Sequence, residues 1–289
     1  MLHLCGLWCD EGHRCVRWSP ESRERIRAAL PDLRAQLAAV LRPCCTHLAG
    51  HGGVKGTVRW AQSMTERLPF VARFDIRSYY ESIDHRVLLD QLVQAGVSPE
   101  GCDLIRAYLD VPDRHRTGRG MVAGAALSPL LAALYLTSLD QAMEDMERRA
   151  GIRYRRFMDD FIIFAPTRHK LRAAIKRMYA VLAPLKLDVH PDKRYIGKTA
   201  RGFDFLGYRF QAGRKLRPAA QSIDRLITRA RRLHEQGADR NRLRQYVWRW
   251  YRWLHGGLRG RVSAKGRFTR IWIRVLQHLH NDSASPRPD

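Results

Sequence analysis

The order of apolar and polar positions along the chain predicts helices mixed with strands and no internal repeat. The stretch SPESRERIRAALPDLRAQLAAVL, beginning at Ser19, has a serine cap, proline at the first helical position and apolar residues at helical spacing. It predicts a helix that is interrupted near Pro31. A Gly-rich, basic stretch follows at 47–60, and PFVARFDI after it shows the apolar enrichment of a buried strand.

The rest of the chain continues the mixed pattern. Helices are predicted at 84–97, 128–147 (long and amphipathic) and 167–185, two short strands joined at adjacent aspartates at 153–165, a strand at 203–210 and basic helices from Ile223 onward. The residues after His280, NDSASPRPD, are predicted to be disordered.

The net charge limits the possible classes of function more than the length of the chain does. The 289 residues are enough for one large core or for two or three smaller lobes. The net charge is +24, and residues 201–289 hold 21 Lys and Arg against 6 Asp and Glu. This surplus predicts a polyanionic partner, a nucleic acid or an anionic membrane surface. Because no apolar run approaches the ~18 to 20 residues that span a bilayer and no signal peptide is visible, we expect a cytoplasmic protein.

The cysteines near the amino terminus raise the question of a zinc site. Cys5, Cys9 and Cys15 lie close to His3 and His13. Structural zinc sites usually use two separate ligand couples, and here the second couple is missing. Reduced structural thiols are therefore the favoured interpretation, with zinc as the alternative.

Three aspartates carry the candidate chemistry. Asp159 and Asp160 sit at the bend of a predicted hairpin, and Asp75 ends an apolar strand. Taken singly, such residues more often form turns or helix caps than metal sites. Carboxylates that converge from separate strands are, however, what nucleotidyl transfer needs to hold two divalent cations.

The ordered set of motifs resembles a known family. FDIRSYYESIDH, GAALSPLLAALYL, FMDDFIIFA, HPDKRYIG and FDFLGYRF follow one another as the palm motifs of reverse transcriptases do, over residues 44–210. The chain is most similar to bacterial members of the group II intron and retron-like branch. The resemblance implies an α+β, right-hand polymerase fold with fingers, an antiparallel-sheet palm and a helical thumb. The implied ranges are an N-terminal helical extension (1–43), fingers (44–70 with part of 85–120), palm (71–212), basic thumb (213–280) and disordered tail (281–289).

The resemblance also implies catalytic and metal-binding roles. Asp75 and Asp159 would ligate two Mg²⁺ ions, for which Mn²⁺ could substitute, while Asp160 would complete the site and Ile76 would belong to the same metal set. Lys193 would donate a proton to the departing pyrophosphate, although an exposed lysine in a turn is an equal alternative.

Nucleotide binding is implied for a second group of residues. Tyr80 matches the steric gate that excludes a 2′-hydroxyl, whereas its neighbour Tyr79 is expected to pack in the palm. Gly124 would allow close approach of backbone to the nucleotide. The position before it, commonly Gln, is Ala123 here, which puts nucleotide affinity in doubt. On the fingers side the residues that match are Lys55 and Arg59.

Contacts to the template and primer are implied for a third group. Ser128 and Pro129 match the turn into the palm helix, and Leu206 and Gly207 match the primer grip. In the predicted thumb, Arg242, Arg249 and Arg252 lie off an apolar stripe of Leu243, Val247, Trp250 and Leu254 and could follow a duplex backbone.

These inferences together predict an RNA-directed DNA polymerase. Its partners would be an RNA template, a DNA or RNA primer and dNTPs, with a cognate structured RNA as a further candidate. The alternatives are an RNA-binding scaffold of polymerase fold, in a retroelement or antiviral defence complex, and an RNA-templated RNA polymerase, which Tyr80 opposes. The sequence leaves the template, the priming mode, the biological role and the oligomeric state open.

Overall fold

The computed structural model describes residues 1–10 and 13–283. The chain divides into two compact units, which are described separately: Met1–Thr57 with Phe70–Ile196, and Val58–Pro69 with Gly197–Asp289. No helix in the described part of the chain is both long and apolar enough to cross a membrane.

The first unit mixes helices with a four-stranded sheet and a separate hairpin. Its elements are β1 (Leu4–Asp10), β2 (His13–Trp18), α1 (Pro20–Leu37), α2 (Gly53–Arg67), β3 (Phe70–Asp75), α3 (Tyr79–Ser82), α4 (His85–Gln94), α5 (Pro99–Asp110), α6 (Ser128–Tyr135), α7 (Thr137–Ala150), β4 (Arg153–Phe157), β5 (Asp160–Ala165), α8 (Arg168–Leu182) and β6 (Tyr195–Lys198). The chain passes into the second unit within α2 and again within β6.

The amino terminus corrects the prediction of a helical extension over residues 1–43. Its first 18 residues contain the antiparallel hairpin β1–β2, and helix begins only at Pro20. Val16 and Trp18 point to one side of β2 and are half-buried, whereas Arg17 between them is exposed. The Trp18 ring stacks on Tyr108 at a centroid distance of 5.3 Å, which anchors the end of the hairpin to α5.

Helix α1 keeps its predicted start but not its predicted interruption. The Ser19 side chain accepts a hydrogen bond from the Ser22 backbone N–H at 3.2 Å, as expected for a cap. Pro31 lies inside the helix without ending it. Proline removes one backbone hydrogen bond from the helix, but its exposed ring faces solvent. The burial of Leu33 and Leu37 against the core offsets that loss.

Two further predicted elements differ from the structure. The Gly-rich stretch at 47–60 is not a loop throughout, since α2 begins at Gly53. The single helix predicted over 128–147 is two helices, α6 and α7, separated at Leu136, whose φ and ψ are −100° and 10°. The apolar periodicity runs through this break, so the sequence pattern could not reveal it.

The sheet of the first unit has the strand order β4-β5-β3-β6. Strands β3 and β4 both pair antiparallel with the central strand β5. The predicted strand at PFVARFDI and the predicted hairpin at 153–165 are thus confirmed. Helix α8 packs behind β3 and β5, where the Phe74 ring meets Phe161 at 5.5 Å and Tyr179 at 6.4 Å.

A buried ion pair ties this sheet to α7. Arg156 on β4 and Asp140 on α7 have side chains with no solvent exposure, and they form two hydrogen bonds of 2.7 and 2.6 Å. The Tyr154 hydroxyl donates to the same carboxylate at 3.0 Å. Two further guanidinium protons reach the backbone carbonyls of Ala133 and Met158 at 2.8 and 3.2 Å. Four of the five guanidinium N–H groups thus have protein acceptors, which offsets much of the cost of burying the charge.

The second unit consists of a small sheet and three long helices, together with the carboxyl-terminal part of α2. Its elements are β7 (Phe203–Phe205), β8 (Tyr208–Phe210), β9 (Arg217–Pro218), α9 (Ala220–Glu235), α10 (Arg240–His255) and α11 (Phe268–Ser283). The predicted basic helices are confirmed. Helix α11 continues past His280 to Ser283, so the predicted tail begins too early, and residues 284–289 lie outside the described part.

The predicted strand over 203–210 is in fact a tight hairpin. Strands β7 and β8 pair antiparallel and are joined by Leu206 and Gly207, whose φ values are 46° and 82°. Positive φ at both turn residues matches the twist of a two-residue hairpin. Buried aromatic residues alternate with a polar residue on each side of the turn, Phe203 and Phe205 before it and Tyr208 and Phe210 after it, so each half has the pattern of a strand.

Loss of the buried ion pair is expected to destabilise the protein strongly. Asp140→Ala leaves the Arg156 guanidinium buried without its counter-ion, so we expect the free energy of unfolding to fall by about 3–5 kcal/mol. Asp145→Ala, on the exposed side of the same helix, should change it by less than about 0.5 kcal/mol. Urea denaturation of both variants tests this, and similar values for the two would refute it.

Candidate active site

The three predicted carboxylates lie at one end of the sheet. Asp75 is the last residue of β3 and Asp160 the first of β5, and the two are direct cross-strand partners. Asp159 is the second residue of the two-residue turn that joins β4 to β5. The antiparallel register therefore brings side chains that are 84 and 85 positions apart in the chain into one neighbourhood.

The turn that carries Asp159 is held at its backbone. Its first residue, Met158, has φ of 58°, a positive value that suits a two-residue hairpin but is uncommon for a residue with a side chain. The Met158 N–H donates to His47 Nδ1 at 3.2 Å, and its carbonyl accepts from Arg156 Nη1 at 3.2 Å. Both backbone polar groups of the strained residue thus have protein partners.

Two cations lie against the carboxylates. Lys193 Nζ is 3.6 Å from Asp75 Oδ1, and Arg73 Nη2 donates to Asp160 Oδ1 at 3.1 Å. Lys193 is brought there by backbone pairing, because the His190 N–H donates to the Asp75 carbonyl at 2.8 Å. Arg73 lies two residues before Asp75 on β3, so both side chains point to the same face of the sheet.

These cations do not fully compensate the negative charge. Burial, together with the nearby negative charges of Asp160 and Asp75, raises the pKa of Asp159 to about 6. Burial also raises the pKa of Asp160, although the Arg73 guanidinium opposes the shift. Carboxylates with raised pKa values in a shared site are electrostatically suited to a further cation.

The donor set fits a hard divalent cation. Carboxylate oxygens are the ligands that Mg²⁺ prefers, and the raised pKa of Asp159 shows that the site favours added positive charge. In residues 1–10 and 13–283, no three Asp, Glu, His or Cys side chains converge tightly enough to form a metal cluster. In the present side-chain positions, Asp75 and Asp160 pair with Lys193 and Arg73 instead.

The two adjacent tyrosines after Asp75 occupy different environments. Tyr79 is 4% exposed and its hydroxyl donates to the Ala132 carbonyl at 2.6 Å, so it packs in the core as expected. Tyr80 is half-buried and stacks on Tyr79 at 6.0 Å. Burial and the nearby negative charge of Asp159 raise the pKa of Tyr80 to about 12.

The segment before α6 approaches the same site. The Met121 N–H donates to the Tyr80 carbonyl at 2.8 Å, and Gly124 has φ of 71°, which favours glycine. Ala123 donates its N–H to the Arg14 carbonyl at 2.7 Å, so the amino-terminal hairpin covers this position. The sequence pattern gave no sign of that contact.

One predicted nucleic-acid contact needs correction. Ser128 is completely buried, and its hydroxyl bonds to the Val122 carbonyl at 2.5 Å and to the Tyr108 hydroxyl at 2.7 Å. It therefore fixes the turn into α6 and cannot touch a nucleic acid directly. Pro129 is exposed, and its carbonyl is hydrogen-bonded to His47 Nε2 at 2.9 Å.

The two predicted fingers residues lie one turn apart on α2. Burial lowers the pKa of Lys55 to about 8. Arg59 belongs to the second unit, where its Nη1 donates to the Gly257 carbonyl at 2.8 Å. The two side chains are thus presented by a helix that begins within the Gly-rich stretch.

The remaining predicted contacts lie in the second unit. Leu206 and Gly207 form the β7–β8 turn, and a Cβ added to Gly207 would come within 2.8 Å of the Trp253 ring. The apolar stripe of α10 is largely confirmed as core, since Leu243, Val247 and Leu254 are buried. Exposed on the same helix are Arg242, Arg249 and Arg252.

Sequence reasoning missed a basic cavity in the second unit. It measures 570 Å³, and its charged lining consists of Asp204, Arg209, Arg217, Lys265, Arg270 and Arg274. A neighbouring cavity of 380 Å³ shares Arg217 and Lys265 and adds Arg214 and Lys215. Because these residues come from β7–β9, the segment before α11 and α11 itself, no single stretch of sequence reveals them. The other missed residues, His47 and Arg73, also act through contacts distant in sequence.

Comparison with known proteins identifies the class. A family model described as "Reverse transcriptase (RNA-dependent DNA polymerase)" matches residues 30–210, more than half of the chain. The chain therefore belongs to the reverse transcriptase family. No curated protein matches it significantly.

Solved structures with a similar fold include telomerases from two yeasts. Apo telomerase from Candida tropicalis has a TM-score of 0.56 at 10% identity, with 89% of this chain and 54% of that chain covered. Telomerase from Candida albicans with a fragment of telomeric RNA gives 0.52 at 12% identity, with coverage of 89% and 49%. This chain thus spans about half the length of these telomerases. At such identities the likeness shows the fold alone, and it confirms the expected α+β polymerase fold.

The crowded carboxylates are expected to reduce stability when no cation is added. The folded chain binds a proton on Asp159 with a pKa of about 6, above the ordinary value near 3.8, so stability decreases as the pH rises through that interval. Asp159→Asn removes the buried charge. We expect its free energy of unfolding to exceed that of the wild type by about 1–3 kcal/mol near neutral pH in EDTA.

The same measurement at lower pH supplies the control. The difference should vanish below about pH 3, where the wild-type carboxyl is protonated in both the folded and the unfolded state. Asp90→Asn, at an exposed position on α4, should show no such pH-dependent gain. A wild type that is as stable as Asp159→Asn near neutral pH would contradict the electrostatic account.

Proposed function

We propose that this protein is an RNA-directed DNA polymerase that adds dNTPs to a primer 3′-hydroxyl on an RNA template. The observation that carries the proposal is the cross-strand pairing of Asp75 with Asp160 beside Asp159 in the adjoining turn. This arrangement occurs in a chain that belongs to the reverse transcriptase family. We further propose that the chain belongs to the group II intron and retron-like branch and acts in the cytoplasm.

In this proposal, Asp75, Asp159 and Asp160 hold two Mg²⁺ ions. An oxygen ligand from Ile76 could come only from its carbonyl. Bound there, the ions would supply a lower pKa for the attacking 3′-hydroxyl and positive charge to offset that of the triphosphate and the departing pyrophosphate. For the carboxylates to converge, Asp75 must release Lys193 and Asp160 must release Arg73, and the incoming triphosphate offers both cations an alternative anion.

Lys193 is proposed as the proton donor to pyrophosphate. Its ammonium lies 3.6 Å from Asp75 Oδ1 and is about half exposed, so it can turn from the carboxylate to a bound nucleotide. Lys55, Arg59 and Gly124 are proposed to bind the nucleotide. The lowered pKa of Lys55 supports this role, because a partly desolvated ammonium gains from pairing with phosphate.

The second unit is proposed to bind the template–primer duplex. The β7–β8 turn at Leu206 and Gly207 would hold the primer end, and Arg242, Arg249 and Arg252 would follow the backbone. The basic cavity lined by Arg217 and Lys265 offers further phosphate contacts. Among the similar structures, the Candida albicans telomerase contains a telomeric RNA fragment, which supports RNA as the class of partner.

Extension of a DNA primer on an RNA template is the direct test. Purified protein with Mg²⁺ and dNTPs should extend the primer, and Asp159→Asn should lower the rate by at least about 10³-fold while leaving RNA binding intact, because it removes a metal ligand and no basic contact. Asp90→Asn is the matched control and should retain wild-type activity.

Two outcomes would change the proposal. Activity of Asp159→Asn above a few per cent of the wild-type rate would remove Asp159 from the metal site. A folded, RNA-binding wild type without extension in Mg²⁺ or Mn²⁺ would instead favour the RNA-binding scaffold, which Ala123 in place of the usual glutamine also suggests.

Sugar selectivity tests the role of Tyr80. If its ring blocks a 2′-hydroxyl, Tyr80→Ala should raise ribonucleotide incorporation relative to deoxynucleotide incorporation by at least about 10-fold, as expected for removal of a steric contact of 1–3 kcal/mol. Tyr80→Phe keeps the ring and should keep the selectivity. Equal selectivity in the alanine variant and the wild type would assign Tyr80 to packing alone and reopen RNA polymerase activity.

A further inference from the structure

His47 connects three segments of the first unit. Its Nδ1 accepts the Met158 N–H at 3.2 Å, and its Nε2 lies 2.9 Å from the Pro129 carbonyl. Its ring also meets Phe157 edge to face at 6.0 Å. The contacts to Phe157 and Met158 are on the turn that carries Asp159, and the contact to Pro129 is at the start of α6.

These partners fix the tautomer of the ring. A backbone N–H can only donate, so Nδ1 must be unprotonated, and a carbonyl can only accept, so Nε2 must carry the proton. The Cys45 sulfur also lies 3.4 Å from Nδ1, where its thiol shares the single lone pair of that nitrogen with the Met158 N–H. The neutral Nε2–H form can bond to Met158 and Pro129 together, whereas an imidazolium would lose the Met158 bond. Burial lowers the pKa of His47 to about 4, and the nearby charges of Arg156 and His51 act in the same direction.

The bond to Met158 lies at the most constrained point of the turn. Met158 has φ of 58°, and its carbonyl is already fixed by the buried Arg156. The Met158 N–H belongs to the peptide unit before its Cα and the carbonyl to the unit after it, so without a partner for the N–H only the second unit would be held. Asp159 follows directly, so rotation about the Met158 backbone would move the Asp159 carboxylate away from Asp75 and Asp160.

We propose that His47 is a positioning residue for the catalytic turn: as the neutral Nε2–H tautomer it holds the Met158 N–H with Nδ1 and the start of α6 with Nε2. Its consequence for catalysis rests on the proposed polymerase function. The hydrogen bond itself does not.

Two conservative substitutions separate this role from packing. The Asn amide oxygen occupies the place of Nδ1, so His47→Asn can still accept from Met158 but cannot reach Pro129. Gln reaches the place of Nε2, so His47→Gln can donate to Pro129 but leaves the Met158 N–H unpaired. His51→Ala removes a nearby imidazole that bonds to the Cys45 carbonyl and does not bond to the turn, which makes it the matched control.

Single-nucleotide extension at saturating dNTP provides the kinetic readout. We expect His47→Gln to lower kcat by about 10- to 100-fold with little change in the KM for dNTP, because a misplaced catalytic group reduces turnover more than binding. His47→Asn should recover to within about 3-fold of the wild type, and His51→Ala should match it. Equal losses in the Asn and Gln variants, with thermal unfolding showing both to be folded, would overturn the positioning role.

The Met158 amide provides a readout that is independent of activity. In protein labelled with ¹⁵N-methionine, the Met158 cross-peak can be assigned by its loss in Met158→Leu. We expect its amide proton to keep its shift in His47→Asn and to move and exchange faster with solvent in His47→Gln. An unchanged cross-peak in both variants would overturn the proposed bond. If the wild type shows no polymerase activity, this experiment still decides the inference while the proposed function fails.

Discussion

The buried pairing of Arg156 with Asp140 is the interaction on which the site depends. A guanidinium without solvent contact needs hydrogen-bond acceptors within the protein, and here the Asp140 carboxylate and two backbone carbonyls supply them. One of these carbonyls belongs to Met158, in the turn that carries Asp159. The charge that β4 buries therefore fixes the peptide on which the candidate chemistry is mounted. The positions of β4, α7 and the turn therefore depend on one another.

The carboxylate site stands in contrast to this satisfied pair. Asp159 has a raised pKa because burial and like charges act on it without a dedicated partner, whereas Asp75 and Asp160 contact cations that are themselves partly exposed. A fold selected only for stability would neutralise such a cluster with a buried arginine, as it does at Asp140. The uncompensated charge at the strand end is what a cation-dependent site requires, and it carries a cost in stability.

The parts of the fold that were predictable are those defined by neighbours in sequence. Ser19 caps α1 through a contact three residues away, and β3 and the β4–β5 hairpin follow from local apolar patterns. The predictions that were wrong failed because tertiary contacts determine the structure at those positions. Pro31 stays within α1 because distant core residues hold the helix, and β1 and β2 pair with each other where a helix was predicted, with contacts from β2 to α5 and to Ala123. A single sequence carries no local signal for such contacts.

The same division applies to the site. The aspartates were predictable because the chemistry demands carboxylates and the motif supplies them in order. The exact positions of the aspartates could not be predicted. They depend on the backbone of Met158, which is held by His47, 111 positions earlier in the chain, and by the Arg156 guanidinium, which is itself anchored to Asp140 on α7. A turn at positive φ has no intrinsic preference strong enough to hold one conformation to a fraction of an ångström. Local sequence thus specifies which atoms could bind a cation, and non-local hydrogen bonds determine whether those atoms are held close enough together to bind it.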